Sequence, residues 1–395
     1  AFLEFGIAGF AALTPLLIFL SRELYLMLGG TVVMGLTLST LVRLILSTLV
    51  LAIPTFLMGG TLPAAARAAE DSSDVGRRNM ALLYGLNTIG AVVGVGLATF
   101  ILLEALGTTT MLFTACVFNA LIAAAAWAIS LSKDSQIPEI ELKEEKAEKK
   151  ESKLGFNNVF VFTAAGLVGF VFFLMELVWY RMLTPLLGGS TYTFGLILAI
   201  ALLGIGIGGG ICSMRNQAKR ATMATFAVTC LLEAVFIAIP FAMGDSLAHL
   251  AGSLISLNAF GMAGRVISWT ITTSIVVLPA AIVAGYQFPI LINLLGKGRE
   301  DVGQHIGFAY AWNTVGSILG SLAGGFMLLP LLTALGSWIS VIIILCLLGV
   351  VSTFVHFARE KSLPAFVFPL LICGFALALT LFNGPTAFWR HTPIG

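Results

Sequence analysis

The chain has 395 residues, of which 58% are hydrophobic and only 10% are charged, and its mean hydropathy is +1.02. Soluble domains carry about 25% charged residues, so this composition excludes a soluble globular protein and predicts an all-α polytopic membrane protein. A formal net charge of +2 is too small to indicate a nucleic-acid partner. The five cysteines stand singly in apolar runs, which favours core packing over a metal site or a disulfide framework, and no cofactor is expected.

A helix needs about 20 apolar residues to cross a bilayer core of about 30 Å. Eleven stretches of the sequence are long and apolar enough. In chain order they are 2–20, 32–57, 80–104, 109–131, 156–184, 192–213, 222–243, 264–295, 305–330, 337–357 and 364–383. We therefore expect about eleven transmembrane helices in contact with the lipid bilayer.

Lysine and arginine collect in alternate connections between these spans, as expected of cytoplasmic loops. These connections hold 16 of the 21 basic residues. They are Arg67, Arg77, Arg78, Lys133, Lys143, Lys146, Lys149, Lys150, Lys153, Arg215, Lys219, Arg220, Lys297, Arg299, Arg359 and Lys361. The alternation predicts a multi-pass protein of the bacterial inner membrane, with its first residue in the cytoplasm and its C-terminus outside.

A mixed-charge run, EIELKEEKAEKKESK, lies within residues 132–155. Its low hydrophobicity predicts a flexible or transiently helical cytoplasmic linker, with a binding tail as the alternative. The linker divides a first helical repeat at 1–131 from a second at 156–357. Residues 358–395 add one further span and an extracytoplasmic tail.

Two segments of the chain show that these repeats share one pattern. YGLNTIGAVVGVGLATFILLE at 84–104 returns as YAWNTVGSILGSLAGGFMLLP at 310–330, which is 226 positions further on. MGGTLP at 58–63 and AGYQFP at 284–289 have the same offset. A fixed period of this length indicates a tandem duplication.

The second repeat contains a block that the first one lacks, at Leu174–Gly210. We therefore expect the first repeat to lack its first two helices, which would lie ahead of Ala1. With those helices each repeat has six spans, and an even number places both repeats in the same orientation. This arrangement predicts two parallel repeats of the major-facilitator-like type.

Prolines interrupt two of the spans in matching positions. Pro54 and Pro63 fall at the second span, and Pro279 and Pro289 fall in the eighth. A proline inside a helix frees a carbonyl group, and paired broken segments point to a central site in carriers. We interpret the four prolines as hinges, with kinks for packing alone as the alternative.

Acidic residues inside a membrane span need a partner or water, because a lone charge there is costly. Glu4 and Glu233 lie deep in apolar sequence at equivalent positions of the two repeats, which favours a proton or cation site. Glu176 and Arg181 favour either an ion pair on one helix or an interfacial anchor. Arg43 lies inside the second span and is a candidate to neutralise an acid.

Tyrosine and asparagine recur three residues apart in both copies of the repeat. Tyr84 pairs with Asn87, and Tyr310 pairs with Asn313, so each pair shares a helical face. Their uncharged donors and acceptors suit either hydrogen bonds between helices or a polar ligand. We therefore include all four among the candidate substrate-binding residues.

Several motifs together resemble one known family. They are ELVWYRMLTPLLGGSTYTFGLILAIALLGIGIGG, GxxxP in a kinked helix, YxxNTxGxxxG in both repeats, and the C-terminal PTAFWRHTPIG. This combination resembles the membrane domain of spermidine-synthase-like integral membrane proteins, in which a major-facilitator-like part precedes an aminopropyltransferase-like soluble domain. The chain lacks the first ELVWxR block and the soluble domain, so that domain's catalytic residues cannot be assigned here.

Three functions follow from these patterns. The leading one is a carrier-like protein that moves a polyamine or another small polar cation. The second is a non-transporting anchor or scaffold for other membrane or extracytoplasmic subunits. The third is the membrane part of an aminopropyltransferase whose active domain would lie beyond Gly395, since no catalytic or nucleotide-binding motif occurs in this chain.

Overall fold

The computed structural model describes residues 1–68, 78–131, 156–214, 222–295 and 302–390, and all regular structure in these ranges is helical. The predicted linker at 132–155, most of the basic loop residues and the tail after Arg390 lie outside the described residues. The α-helices are α1 (Phe2–Met27), α2 (Gly30–Ala68), α3 (Arg78–Leu97), α4 (Leu103–Ser130), α5 (Phe156–Leu187), α6 (Thr191–Met214), α7 (Met223–Met243), α8 (Ser246–Ser253), α9 (Gly261–Leu294), α10 (Val302–Ala323), α11 (Leu329–Glu360), α12 (Leu363–Leu379) and α13 (Ala387–Arg390).

Eight helical stretches of the described chain are long and apolar enough to cross a membrane. Two of them, Leu86–Ser130 and Gly307–Glu360, each cover two of the predicted spans, and the 17-residue helix α12 is shorter than a full span. The protein is therefore an all-α, multi-pass integral membrane protein. The count of eleven transmembrane helices stays a prediction.

The backbone departs from α-helical geometry at the same places in both sequence copies. A π-helical turn joins α3 to α4 at Ala98–Leu102, and another joins α10 to α11 at Gly324–Leu328. Five residues after each turn the chain has a positive φ, at Gly107 (φ 67°, ψ 174°) and at Thr333 (φ 63°, ψ 176°). Each of these features is separated from its counterpart by the same 226 positions as the sequence motifs.

The described helices form two compact units. The first unit comprises Ala1–Asn87 and Phe100–Glu148, and in it α1 packs against α2 and α4. Few of its side chains are buried, among them Ile7 and Ala123. Its remaining surface is largely apolar, as is expected of helices whose side chains contact lipid.

The second unit comprises Thr88–Thr99 and Lys149–Gly395. Here α5 packs against α10, α6 packs against α9, and α7 packs against α9, α11 and α12. Glycines bring two of these pairs into backbone contact: a Cβ atom added to Gly316 would overlap the carbonyl of Gly166, and one added to Gly208 would overlap that of Ile282. Close backbone approach of this kind stabilises helix pairs in membranes, where packing drives association.

The segment after α12 folds back onto the second unit. The indole nitrogen of the fully buried Trp389 donates to the carbonyl oxygen of Met182 in α5 at 2.6 Å. The carboxylate of Asp245, between α7 and α8, accepts from the backbone nitrogen of Thr386 at 2.9 Å and from its hydroxyl. These bonds fix the position of the short helix α13.

Candidate functional site

An acidic side chain lies in the core of the second unit. Glu233 is ten residues from the start of α7, which corresponds to about 15 Å of helix and to half of a bilayer core of about 30 Å. Its side chain is only 2% exposed. Of the acids predicted to form a site, Glu233 is the one that the structure places in a buried position.

Gln287 of α9 lies beside the Glu233 carboxylate, and it is fully buried. Its amide nitrogen also donates to the sulfur of Cys230 at 3.2 Å, so the three side chains form one polar cluster between α7 and α9. Two oxygens of the cluster, Oε2 of Glu233 and Oε1 of Gln287, have no hydrogen-bond partner. The cluster therefore has more acceptors than donors.

The surroundings of the cluster contain no compensating positive charge among the described residues. No described lysine, arginine or histidine forms an ion pair with Glu233. The titratable groups that interact with the cluster are thiols: Cys230 is close to Cys346 of α11, and Cys346 contacts Cys373 of α12. Thiol groups are weak hydrogen-bond donors and carry no positive charge.

A carboxylate in this position is unfavourable as a bare anion. Insertion of an acidic side chain at the centre of a membrane helix costs about 2.5–3.5 kcal/mol, and much more when no partner or water is available. The group must therefore take up a proton, bind a cation, or be exposed to water in another conformation of the protein. An intramembrane acid without a described basic partner is a candidate functional residue.

Glu4, which the sequence predicts to be the counterpart of Glu233, lies in the first turn of α1 in the first unit and is half-buried. Arg43 does not form an ion pair with it. The Arg43 guanidinium instead donates to the carbonyl of Ser39 at 3.3 Å and lies 5.8 Å from the ring centre of Tyr25. Arg43 is thus engaged with its own helix and with α1.

Glu176 and Arg181 do not form the ion pair that the sequence offered as one interpretation. Glu176 is half-buried in α5, whereas Arg181 is exposed, and no contact between their charged groups occurs. The residues are five apart on the helix, a separation that does not bring side chains together. The other interpretation of this pair, an anchor at the membrane interface, stays a prediction.

The asparagine of the second repeat forms a bond between helices. Nδ2 of Asn313 in α10 donates to the carbonyl oxygen of Ala165 in α5 at 3.0 Å. Tyr310 packs its ring against Phe288, with ring centres 4.8 Å apart. Asn87 is exposed, and Tyr84 belongs to α3, but its side chain lies outside the described part of the structure.

The predicted hinge prolines lie inside α2 and α9, and the non-helical residue of α2 is Gly35 rather than a proline. Pro279 and Pro289 are both within α9, and Pro54 and Pro63 are both within α2. The strongest departures from helical geometry occur elsewhere, for example at Gly107 and Thr333, which the sequence analysis did not single out.

Gln287 and Cys230 were also missed as site residues. The available signal was weak: Gln287 is the only strongly polar residue of the AGYQFP segment, and Cys230 is one helical turn from Glu233. Neither sequence feature indicates that α7 and α9 would bring these side chains together.

Comparisons with models of protein families, with curated proteins and with solved structures find no match to this chain.

Proposed function

We propose that this integral membrane protein is a carrier of the major-facilitator-like type that moves a small polar cation, with polyamines as the first class to test. The observation that carries the proposal is the buried Glu233, which lies at half the depth of a membrane helix and has no described basic partner. Intramembrane acids of this kind line ion and substrate pathways in membrane proteins.

The repeated backbone irregularities support a two-repeat architecture. The π-helical turns at Ala98–Leu102 and Gly324–Leu328, and the positive-φ residues that follow them, share the 226-residue offset of the sequence motifs. π-helical turns are rare and occur frequently at functional sites, so their presence in both copies favours a shared role. Carriers commonly have their binding site at the interface between such repeats.

The proposal is tested by uptake of a radiolabelled polyamine into vesicles reconstituted with the purified chain. We expect the Glu233→Gln variant to lower the initial rate by about tenfold or more, because the substitution removes the ionisable group. The matched control is Glu104→Gln, since Glu104 is exposed in α4 and should leave the rate unchanged. Equal rates for wild type and Glu233→Gln would contradict the proposal.

A second candidate function is a non-transporting anchor or scaffold. The observation that favours it is the tight enclosure of Glu233, which leaves the side chain almost without contact to water. A scaffold needs dense packing but no ion pathway. It would predict no uptake by the wild type and no loss of partner binding in Glu233→Gln.

A further inference from the structure

We propose that the ion held by Glu233 is a proton, and that Gln287 is the residue that positions the protonated carboxyl group. The inference rests on the proposed function for its role in transport, because a carrier with this site would exchange or couple to protons. The protonation of Glu233 itself follows from the geometry of the cluster and can be measured separately.

The first argument is the number of ligands. A hard cation such as Ca²⁺ requires six to eight oxygen ligands, and Mg²⁺ requires six. The cluster supplies the Glu233 carboxylate and one amide oxygen of Gln287, while its third member, Cys230, offers sulfur, which suits soft metals. No group of three or more potential metal ligands occurs in the described part of the chain. A proton needs only one of these oxygens.

The second argument is the balance of donors and acceptors. The Gln287 amide nitrogen donates to the sulfur of Cys230, whose thiol is only a weak donor. Oε2 of Glu233 and Oε1 of Gln287 are acceptors without a donor. A proton on Glu233 converts one of these acceptors into a hydroxyl donor, whereas ionisation adds a buried negative charge.

The third argument is the absence of an alternative neutraliser among the described neighbours. The helices packed against α7 contribute Gln287 from α9, Cys346 from α11 and Cys373 from α12 around the cluster. Amide and thiol groups carry no positive charge. The buried acid is therefore neutral when the site is closed, since an unpaired buried charge takes up a proton instead.

Infrared spectroscopy of the purified full chain in lipid tests this proposal directly. At about pH 7 the wild type should show a carboxylic C=O band that is missing from Glu233→Gln and kept in Glu104→Gln, because ordinary glutamates are ionised at that pH. Identical spectra for wild type and Glu233→Gln would overturn the proposal. Carboxylate bands of Glu233 that respond to added sodium would overturn it in favour of a metal cation.

The role of Gln287 has its own signature. We expect Gln287→Leu to keep the C=O band but to move it to higher frequency, because the carboxyl group loses the polar amide beside it. A band at the wild-type frequency would show that Gln287 does not position the carboxyl group of Glu233. Circular dichroism and gel filtration show whether each variant folds.

The outcomes separate this inference from the proposed function. If the C=O band depends on Glu233 but no polyamine uptake is found, the proton site stands and polyamine transport does not. If uptake depends on Glu233 but the band is missing, the carrier stands and the bound ion is not a proton.

Discussion

The helices of residues 1–130 and those of residues 156–390 carry copies of the same sequence elements, yet they are buried to different degrees. In an apolar stretch of 18 residues, 11% is buried in α1 and in α2, whereas 67% is buried in α7. The mean hydropathy of the three helices is nearly the same. The difference therefore comes from the neighbours that each helix has within the chain.

Glycines at equivalent positions of the two sequence copies show which helices provide these neighbours. A Cβ atom at Gly316 would overlap the backbone of α5, and one at Gly285 would overlap that of Ile205 in α6. At Gly90 and Gly59, their counterparts 226 positions earlier, an added Cβ would meet nothing within 4 Å. These contacts come from Gly166 in α5 and from Ile205 in α6, so at both positions the later glycine is a packing surface and its earlier counterpart is not.

The largest expected effect on stability concerns the glycine pair Gly316 and Gly90. We expect Gly316→Ala to destabilise the protein by about 1–3 kcal/mol, because α5 and α10 must move apart to admit the methyl group. Gly90→Ala should be neutral or should stabilise by up to about 1 kcal/mol, since alanine favours helix. Thermal unfolding of both variants in one detergent measures the difference, and equal shifts would mean that α5 and α10 do not pack through Gly316.

A second test concerns the positive-φ residue that follows each π-helical turn. The first copy has Gly107 there, and the second has Thr333, a β-branched residue at φ 63° and ψ 176°. This backbone region is essentially restricted to glycine and costs other residues about 1–3 kcal/mol. We expect Thr333→Gly to stabilise the protein and Gly107→Thr to destabilise it by similar amounts in chemical unfolding. A destabilised Thr333→Gly would show that the hydroxyl contributes more than the strain costs.

The smallest expected effect compares two tryptophans. The indole nitrogen of the fully buried Trp338 donates to the carbonyl oxygen of Ile237 at 2.9 Å, whereas Trp127 of the first unit is 42% exposed and packs edge-on against Phe2. Trp338→Phe should cost about 1 kcal/mol through the lost hydrogen bond, and Trp127→Phe should cost less. Unfolding monitored by circular dichroism gives both values. Similar costs would indicate that the two units are equally well packed.

Composition and the length of the apolar runs predicted the helical, membrane-spanning class, because apolar runs of this length have few other stable structures. The sequence could not predict which apolar face meets protein and which meets lipid, since both surroundings favour the same side chains. Gln287 illustrates the limit: its position beside Glu233 depends on the rotation of α9 against α7. For Asn313 the sequence was more informative. The residue type and its spacing offered two interpretations, and the structure contains one of them, a hydrogen bond between helices.

The matched π-helical turns also bear on the order of events in the history of this chain. A π turn contains one more residue than the α-helical turn that it replaces. Both copies have it, and the distance from it to the next positive-φ residue is identical in both. If the two segments descend from one ancestor, the additional residue was already present before the gene segment was copied, and later selection has kept it in both descendants.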